Sequence, residues 1–164
     1  MLLKKLVITL GNEWSNELRA PTDWFARLMQ VKSDCSTHIS MCLIKTWIGG
    51  WTTTSRMHED VQLPCIFGCP DSKDTLAHYL CCAPLWHMAS EVMGKQGEVD
   101  ITSRLCIRNP SLDDAVRLAL CFQGYHYTKT ECNRTMGLIN ASQDHHRLQQ
   151  TCVESMKSFY KQFY

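Results

Sequence analysis

Hydrophobic residues recur every three or four positions in several stretches of this chain, which is the spacing of one face of an α-helix. The clearest stretches lie near residues 24–31, 35–47, 84–93, 112–122 and 142–163, and a shorter one begins near residue 101. Alternation with a period of two, which would indicate half-buried strands, is weak throughout. The pattern predicts a mostly α protein with about six helices.

Residues that favour helix ends mark the boundaries of these stretches. Pro84 stands where a first helical turn tolerates proline, and "SLDD" from Ser111 has the form of a capping box, so its paired acids are first-turn charges rather than catalytic carboxylates. Candidate N-caps are Thr22 or Asp23, Ser33 or Asp34, and Ser111, and the candidate stops are Gly49, Gly50 and Gly94.

These boundaries divide the chain into four segments. Residues 1–20 have no clear period and form an N-terminal arm, and residues 21–62 form a helical segment that ends in a polar connector. Residues 63–94 hold a cysteine-rich stretch and the helix after it, and residues 95–164 hold the C-terminal helices.

Composition and charge limit the classes of function. The 164 residues carry 17 basic and 16 acidic side chains, a net charge of +1, and 45% of them are apolar. A dedicated duplex-binding domain has a basic excess, so composition alone does not favour nucleic-acid binding. No run approaches the roughly 18 apolar residues of a membrane span. We therefore expect a soluble protein without a membrane span.

Ten cysteines are many for a chain of this length. Disulfides would require an oxidising compartment. The N-terminal "MLLKKLVITLGNEW" is a poor secretory signal, because its apolar run is short and no small-residue cleavage pattern follows it. We expect an intracellular reducing compartment, in which some cysteines bind metal and the others are small buried apolar side chains.

Four residues with the chemistry of zinc ligands stand in "CIFGCPDSKDTLAHYLCC", namely Cys65, Cys69, His78 and Cys82. Zn²⁺ prefers a tetrahedron of thiolate and imidazole. Gly68 lets the backbone turn so that the first two sulfurs face one point. His78 and Cys82 are four residues apart, which places them on one helix face.

Cys81 is the rival for the fourth ligand position, because it lies three residues after His78. We prefer Cys82 for its i,i+4 alignment with the histidine. The helix that carries both would be capped by one of three polar residues before it, Asp71, Ser72 or Asp74.

Four protein ligands leave no coordination position for water, whereas catalytic zinc keeps one open. The glutamate of the deaminase signature is also absent, because Leu80 stands two residues after His78. We therefore expect a structural ion, no enzymatic activity, no small-molecule substrate, and a fold that chelators loosen. The predicted fold is an irregular helical bundle with a central CCHC zinc knuckle.

The stretches "IKTWIGGWTTTSRMHE", "LPCIFGC" and "DTLAHYLCCAPLW" resemble the zinc-binding region C-terminal to the polymerase domain of non-LTR (LINE-like) retrotransposon reverse transcriptases. The likeness covers roughly residues 39–87, about a third of the chain. Two spacings depart from the family pattern: three residues rather than two separate Cys65 from Cys69, and three rather than four separate His78 from Cys82.

The resemblance implies a non-catalytic binding module derived from such a transcriptase, with RNA or DNA as its partner. The basic residues that would contact nucleic acid are Arg56, Lys73, Arg104 and Arg108. The alternative is a structural accessory subunit of a larger protein complex, for example an organellar one. Its support is the near-neutral charge and the expectation that three tryptophans are exposed, Trp14, Trp24 and Trp51.

Three further groupings have simpler explanations than chemistry. A histidine pair near two cysteines is explained by hydrated surface side chains, and a Cys-His-Cys helix face by core packing. A histidine between two tyrosines could stack on nucleic-acid bases, and packing of an amphipathic helix explains it equally well. The residues are His145, His146, Cys132 and Cys152; Cys35, His38 and Cys42; and His126 with Tyr125 and Tyr127.

Overall fold

A computed structural model describes residues 24–95, 100–107, 111–135 and 144–163 of the protein. Within these ranges the chain is mainly helical, as predicted, and its strand-type pairing is limited to an isolated antiparallel bridge between Pro64 and Lys73. The described helices are α1 (Trp24–Asp34), α2 (Thr37–Trp47), α3 (Thr54–Met57), α4 (Leu76–Cys81), α5 (Ala83–Met93), α6 (Ile101–Arg104), α7 (Leu112–Thr135) and α8 (His145–Tyr160).

Several helix boundaries differ from the predicted ones. Ser33 and Asp34 lie inside α1, and the N-cap of α2 is Ser36, whose hydroxyl accepts a hydrogen bond from the Ile39 N–H at 3.3 Å. The predicted polar connector contains the single turn α3, capped by Thr53. The predicted caps Thr22 and Asp23 lie outside the described residues.

Other boundaries agree with the prediction. Gly49 follows α2 with a φ of 71°, and Gly94 ends α5 with a φ of 64°. Ser111 and Asp114 form the capping box, since the Ser111 hydroxyl donates to the Asp114 carboxylate at 2.6 Å and accepts from the Asp114 N–H at 3.1 Å. Asp113 and Asp114 are therefore first-turn acids of α7.

The described chain forms two compact units. The first contains α1, α2, α6 and α7 up to Ala119, and the second contains α3, α4, α5, α7 from Leu120, and α8. In the first unit the apolar face of α2 is buried, and the indole N–H of Trp47 donates to the Leu105 carbonyl at 2.9 Å. This bond joins α2 to the residues that follow α6.

Trp51 lies at the centre of the second unit and is fully buried. Its ring stacks on Tyr79 at 6.0 Å, lies 5.1 Å from Tyr125, and meets the edge of Phe122 at 5.6 Å. The expectation that Trp51 is exposed is therefore wrong, because the aromatic residues of α4 and α7 enclose it. Trp14 lies outside the described residues, as does the side chain of Trp24.

Candidate metal centre

The first two candidate ligands lie on a tight hairpin of residues 63–74. Its two arms are joined by backbone hydrogen bonds from Cys65 N–H to the Ser72 carbonyl at 2.8 Å and from Asp74 N–H to the Leu63 carbonyl at 2.9 Å. Gly68 stands at the turn with a φ of 89°, a conformation that glycine adopts at little cost. The turn brings the Cys65 and Cys69 sulfurs to one side, as the spacing predicted.

The other two ligands lie on α4 and just beyond its end. Thr75 caps α4 by accepting the His78 N–H at 3.2 Å, so the predicted caps Asp71, Ser72 and Asp74 are wrong. Cys82 is both the residue after α4 and the N-cap of α5. Cys81 ends α4 with an exposed side chain and lies outside the cluster, so Cys82 is the fourth residue of the site.

The four side chains come together with the dimensions of a tetrahedral site. The ligand atoms of Cys65, Cys69, His78 and Cys82 all lie within 4.8 Å of one another. The Cys82 sulfur lies 3.6 Å from that of Cys69 and 3.9 Å from that of Cys65. Sulfurs about 2.3 Å from a central zinc at tetrahedral corners would be about 3.8 Å apart. A disulfide would require about 2.05 Å. The spacing therefore fits a shared metal ion rather than a covalent bond.

His78 adds a second sign of a metal. Its Nε2 atom is buried and has no hydrogen-bond partner among the residues that the structure describes. A buried polar nitrogen without a partner costs free energy, and such atoms are rare in folded proteins. An ion between the imidazole and the three sulfurs would provide the missing interaction.

The three thiols influence one another's ionisation. The pKa of Cys65 is lowered to about 4, mainly because the Cys82 thiol donates a hydrogen bond to its sulfur. The pKa of Cys82 is raised, first because it is that donor and then because it is buried. Burial also raises the pKa of Cys69. A divalent cation bound among the three sulfurs would stabilise all of them as thiolates.

Neighbouring groups fix the hairpin in place within the second unit. The Phe67 N–H lies 3.4 Å from the Cys65 sulfur, as a donor to a thiolate would. The Tyr79 hydroxyl accepts the Ile66 N–H at 3.3 Å. From α8, the amide of Gln149 donates to the Phe67 carbonyl at 2.8 Å. The hairpin is therefore held by α4 and α8 as well as by its own turn.

A buried ion pair near this hairpin was not predicted from the sequence. Asp74 is fully buried, and its carboxylate accepts hydrogen bonds from Lys129 Nζ at 2.8 Å, the Tyr125 hydroxyl at 2.9 Å and the Thr54 N–H at 2.7 Å. The sequence feature that pointed to a buried charge was Lys129, which stands four residues after Tyr125 on an otherwise apolar face of α7.

The structure describes three of the four predicted nucleic-acid residues. Arg56 and Lys73 are exposed in the second unit. Arg104 is half-buried in the first unit, and Arg108 lies outside the described residues. These four residues remain a prediction about partners.

The other candidate groupings form no second metal cluster in the described part of the chain. Cys42 and Cys152 are buried, His126 packs against Phe122 with ring centres 4.2 Å apart, and the side chain of Cys132 is not among those described. No disulfide joins the cysteines of the described ranges, and no helix in these ranges has the length and apolar character to cross a membrane.

Comparison with known proteins adds no relative. No protein-family model matches the chain, and neither a curated protein nor a solved structure matches it. The resemblance to the retrotransposon zinc-binding region therefore rests on its sequence motif alone.

Proposed function

We propose that this chain is a non-catalytic binding module whose second compact unit is stabilised by a Zn²⁺ ion on Cys65, Cys69, His78 and Cys82. The observation that carries the proposal is the convergence of three sulfurs and one imidazole at tetrahedral spacing. Sulfur-rich tetrahedral sites select zinc over the hard cations that prefer oxygen. The ion would link the hairpin to α4 and α5.

A structural role follows from the number of ligands. Four protein donors fill the coordination shell that zinc adopts in structural sites, and no position is left for a water molecule or a substrate. The binding free energy of the ion then becomes folding free energy of the second unit. The surfaces that this unit presents, rather than the ion, would carry the function.

Metal analysis of the purified protein tests the site. We expect one zinc per chain in the wild type and a loss of most of it in Cys65→Ser and Cys82→Ser. Cys81→Ser is the matched control, since this neighbouring cysteine is exposed and lies outside the cluster, and it should keep its zinc. Wild-type protein without a metal, or equal zinc loss in all three variants, would contradict the proposal.

We propose RNA or DNA as the partner, following the motif resemblance, with Arg56 and Lys73 as contacts. Both side chains are exposed in the second unit, and Lys73 lies on the hairpin itself. Binding to single-stranded nucleic acid should weaken with salt, and the loss of each cation should reduce the slope of log K against log salt by about 0.7.

Fluorescence anisotropy with Arg56→Ala and Lys73→Ala measures this effect. Lys157→Ala, which removes an exposed cation from α8, is the control and should leave the slope unchanged. Binding at low salt no stronger than that of an unrelated protein of equal charge would refute nucleic acid as the partner.

A second candidate, a subunit of a larger protein assembly, is favoured by one observation. Met41 and Ile44 are exposed on one face of α2, at i and i+3, and the exposed Ile48 follows directly after the end of this helix. Exposed apolar side chains in contiguous groups are typical of protein interfaces. Native protein should then purify with partners, and Ile44→Asp should abolish this without zinc loss. A soluble wild-type monomer at micromolar concentration would count against the candidate.

A further inference from the structure

Cys69 differs from the other cysteines of the cluster in its access to solvent. Cys65 and Cys82 are fully buried, whereas Cys69 is only partly buried at the turn of the hairpin. The Cys69 and Cys82 sulfurs are 3.6 Å apart, closer than the Cys65 and Cys82 sulfurs at 3.9 Å. An oxidant in solution therefore reaches Cys69 first, with a second sulfur already beside it.

We propose that Cys69 is an oxidation site at which a hydroperoxide forms a Cys69–Cys82 disulfide and releases the metal. This inference rests on the proposed zinc ion. It adds a reversible means of regulation to a site whose ordinary role is structural.

The reaction balances with hydrogen peroxide as the oxidant. The Cys69 thiolate attacks one peroxide oxygen, the O–O bond breaks, and the sulfur becomes a sulfenic acid while the other oxygen leaves as water after taking up a proton. The Cys82 thiolate then attacks the Cys69 sulfur, an S–S bond forms, and the sulfenic oxygen leaves as a second water with another proton. Two electrons pass from the two sulfurs to the peroxide, and Zn²⁺ is released unchanged.

Release follows from the ligand chemistry of sulfur. Zinc binds the thiolate, and a disulfide sulfur carries no charge and is a poor ligand. Oxidation would leave only Cys65 and His78, which is too few for a structural site. The sulfurs must approach from 3.6 Å to about 2.05 Å, so the disulfide requires a shift of the hairpin turn or of the junction between α4 and α5 at Cys82.

Cys81 is the competing target, because its side chain is exposed and it precedes Cys82 in sequence. Its oxidation would consume a thiol without removing a ligand. The two routes differ in the number of thiols consumed for each zinc ion released. The proposed reaction consumes two thiols for each zinc released, whereas oxidation of Cys81 consumes thiols while zinc stays bound.

The experiment treats zinc-loaded full-length Cys81→Ser protein with hydrogen peroxide and follows zinc release with a chromogenic chelator. Peptide mapping by mass spectrometry under non-reducing conditions then locates the disulfide. We expect one zinc released for each Cys69–Cys82 disulfide, and restoration of zinc binding after treatment with a dithiol and fresh zinc. Wild-type protein should release zinc at the same rate.

Cys69→His provides the matched variant, since imidazole replaces the partly buried thiolate and a four-ligand set remains. It should bind zinc and release it at least about tenfold more slowly under peroxide, because the accessible thiolate is gone. Zinc retained after cluster thiols are oxidised, or a Cys65–Cys82 disulfide as the main product, would overturn the inference alone. Absence of zinc before peroxide addition would overturn the proposed function, and this inference with it.

Discussion

Replacing Asp74 with asparagine should strongly destabilise the second unit, although the side chain keeps its shape. The Asp74 carboxylate is fully buried and accepts hydrogen bonds from Lys129, Tyr125 and Thr54. Lys129 is itself 4% exposed and has the Thr52 carbonyl as its other acceptor. Asparagine would leave the lysine charge buried without a counter-charge and would place an amide donor among three other donors.

The size of the effect follows from the burial of both partners. Breaking a buried ion pair by removing one partner costs about 3–5 kcal/mol, because the remaining charge is uncompensated. With a denaturant dependence of roughly 2 kcal/mol per molar urea, the unfolding midpoint should fall by about 2 M. An exposed pair would cost less than about 1 kcal/mol, so the magnitude separates the two environments.

Urea unfolding of zinc-loaded protein, followed by circular dichroism, measures this midpoint. Asp71→Asn is the matched control, because this carboxylate is exposed on the same hairpin and its φ of 52° suits asparagine as well as aspartate. It should change the free energy of unfolding by less than about 0.5 kcal/mol. Zinc content is measured in each variant, so that loss of the ion is not mistaken for loss of the ion pair.

A double-mutant cycle tests whether the loss of the ion pair is the cause of the destabilisation. If the ion pair is the cause, adding Lys129→Met to Asp74→Asn should recover part of the stability, because the unpaired charge is removed. A cost below about 1 kcal/mol for Asp74→Asn, or strict additivity of the two substitutions, would show that the pair is not buried as described.

Three further predictions concern single residues. Gly124→Ala should destabilise by about 1–3 kcal/mol in thermal unfolding even though alanine favours helices, because its Cβ would lie 2.7 Å from the Cys152 sulfur; stabilisation would contradict this packing. Gly68→Ala should lower zinc affinity in a chelator competition, since φ is +89° and the Cβ would lie 3.0 Å from the His145 ring; unchanged affinity would count against the described turn. Asp100 should titrate with a pKa of about 2 by NMR, chiefly because the Thr102 and Ser103 hydroxyls donate to it. Since this pKa lies below the ordinary 3.8, its contribution to stability is present above about pH 4 and is lost as the pH falls towards 2; an unshifted value would refute these hydrogen bonds.

The sequence was sufficient for the helical class and for the membership of the metal cluster. Both depend on local patterns: three- and four-residue periodicity for the helices, and ligand pairs separated by three residues for the site. Cys82 rather than Cys81 was also predicted correctly from its spacing to His78, although α4 ends at Cys81 and Cys82 lies just beyond it as the N-cap of α5. Local rules were enough where the interacting residues are close in sequence.

Long-range interactions could not be predicted in this way. Asp74 was predicted only as a candidate helix cap. Its pairing with Lys129 was missed because the two residues are 55 positions apart in the sequence. Trp51 was expected on the surface because its polar neighbours suggested a connector, whereas aromatic residues from α4 and α7 bury it. Short-range competition also misplaced the cap of α4, since Thr75 stands directly after Asp74 and either residue suits the position.

The four ligands of the metal cluster all fall between Cys65 and Cys82, and this compactness affects how the chain is made. Closing a short loop costs little chain entropy, so the proposed zinc ion could be bound once these residues have been synthesised. Domains form from the N-terminal side during translation, and the knuckle would precede α8 by many residues. The carbonyls of Ile66 and Phe67 would then stand ready when His145 and Gln149 emerge to bond with them. If the proposed zinc ion holds the knuckle, a cell short of zinc would accumulate newly made chains in which α8 lacks this surface to pack on.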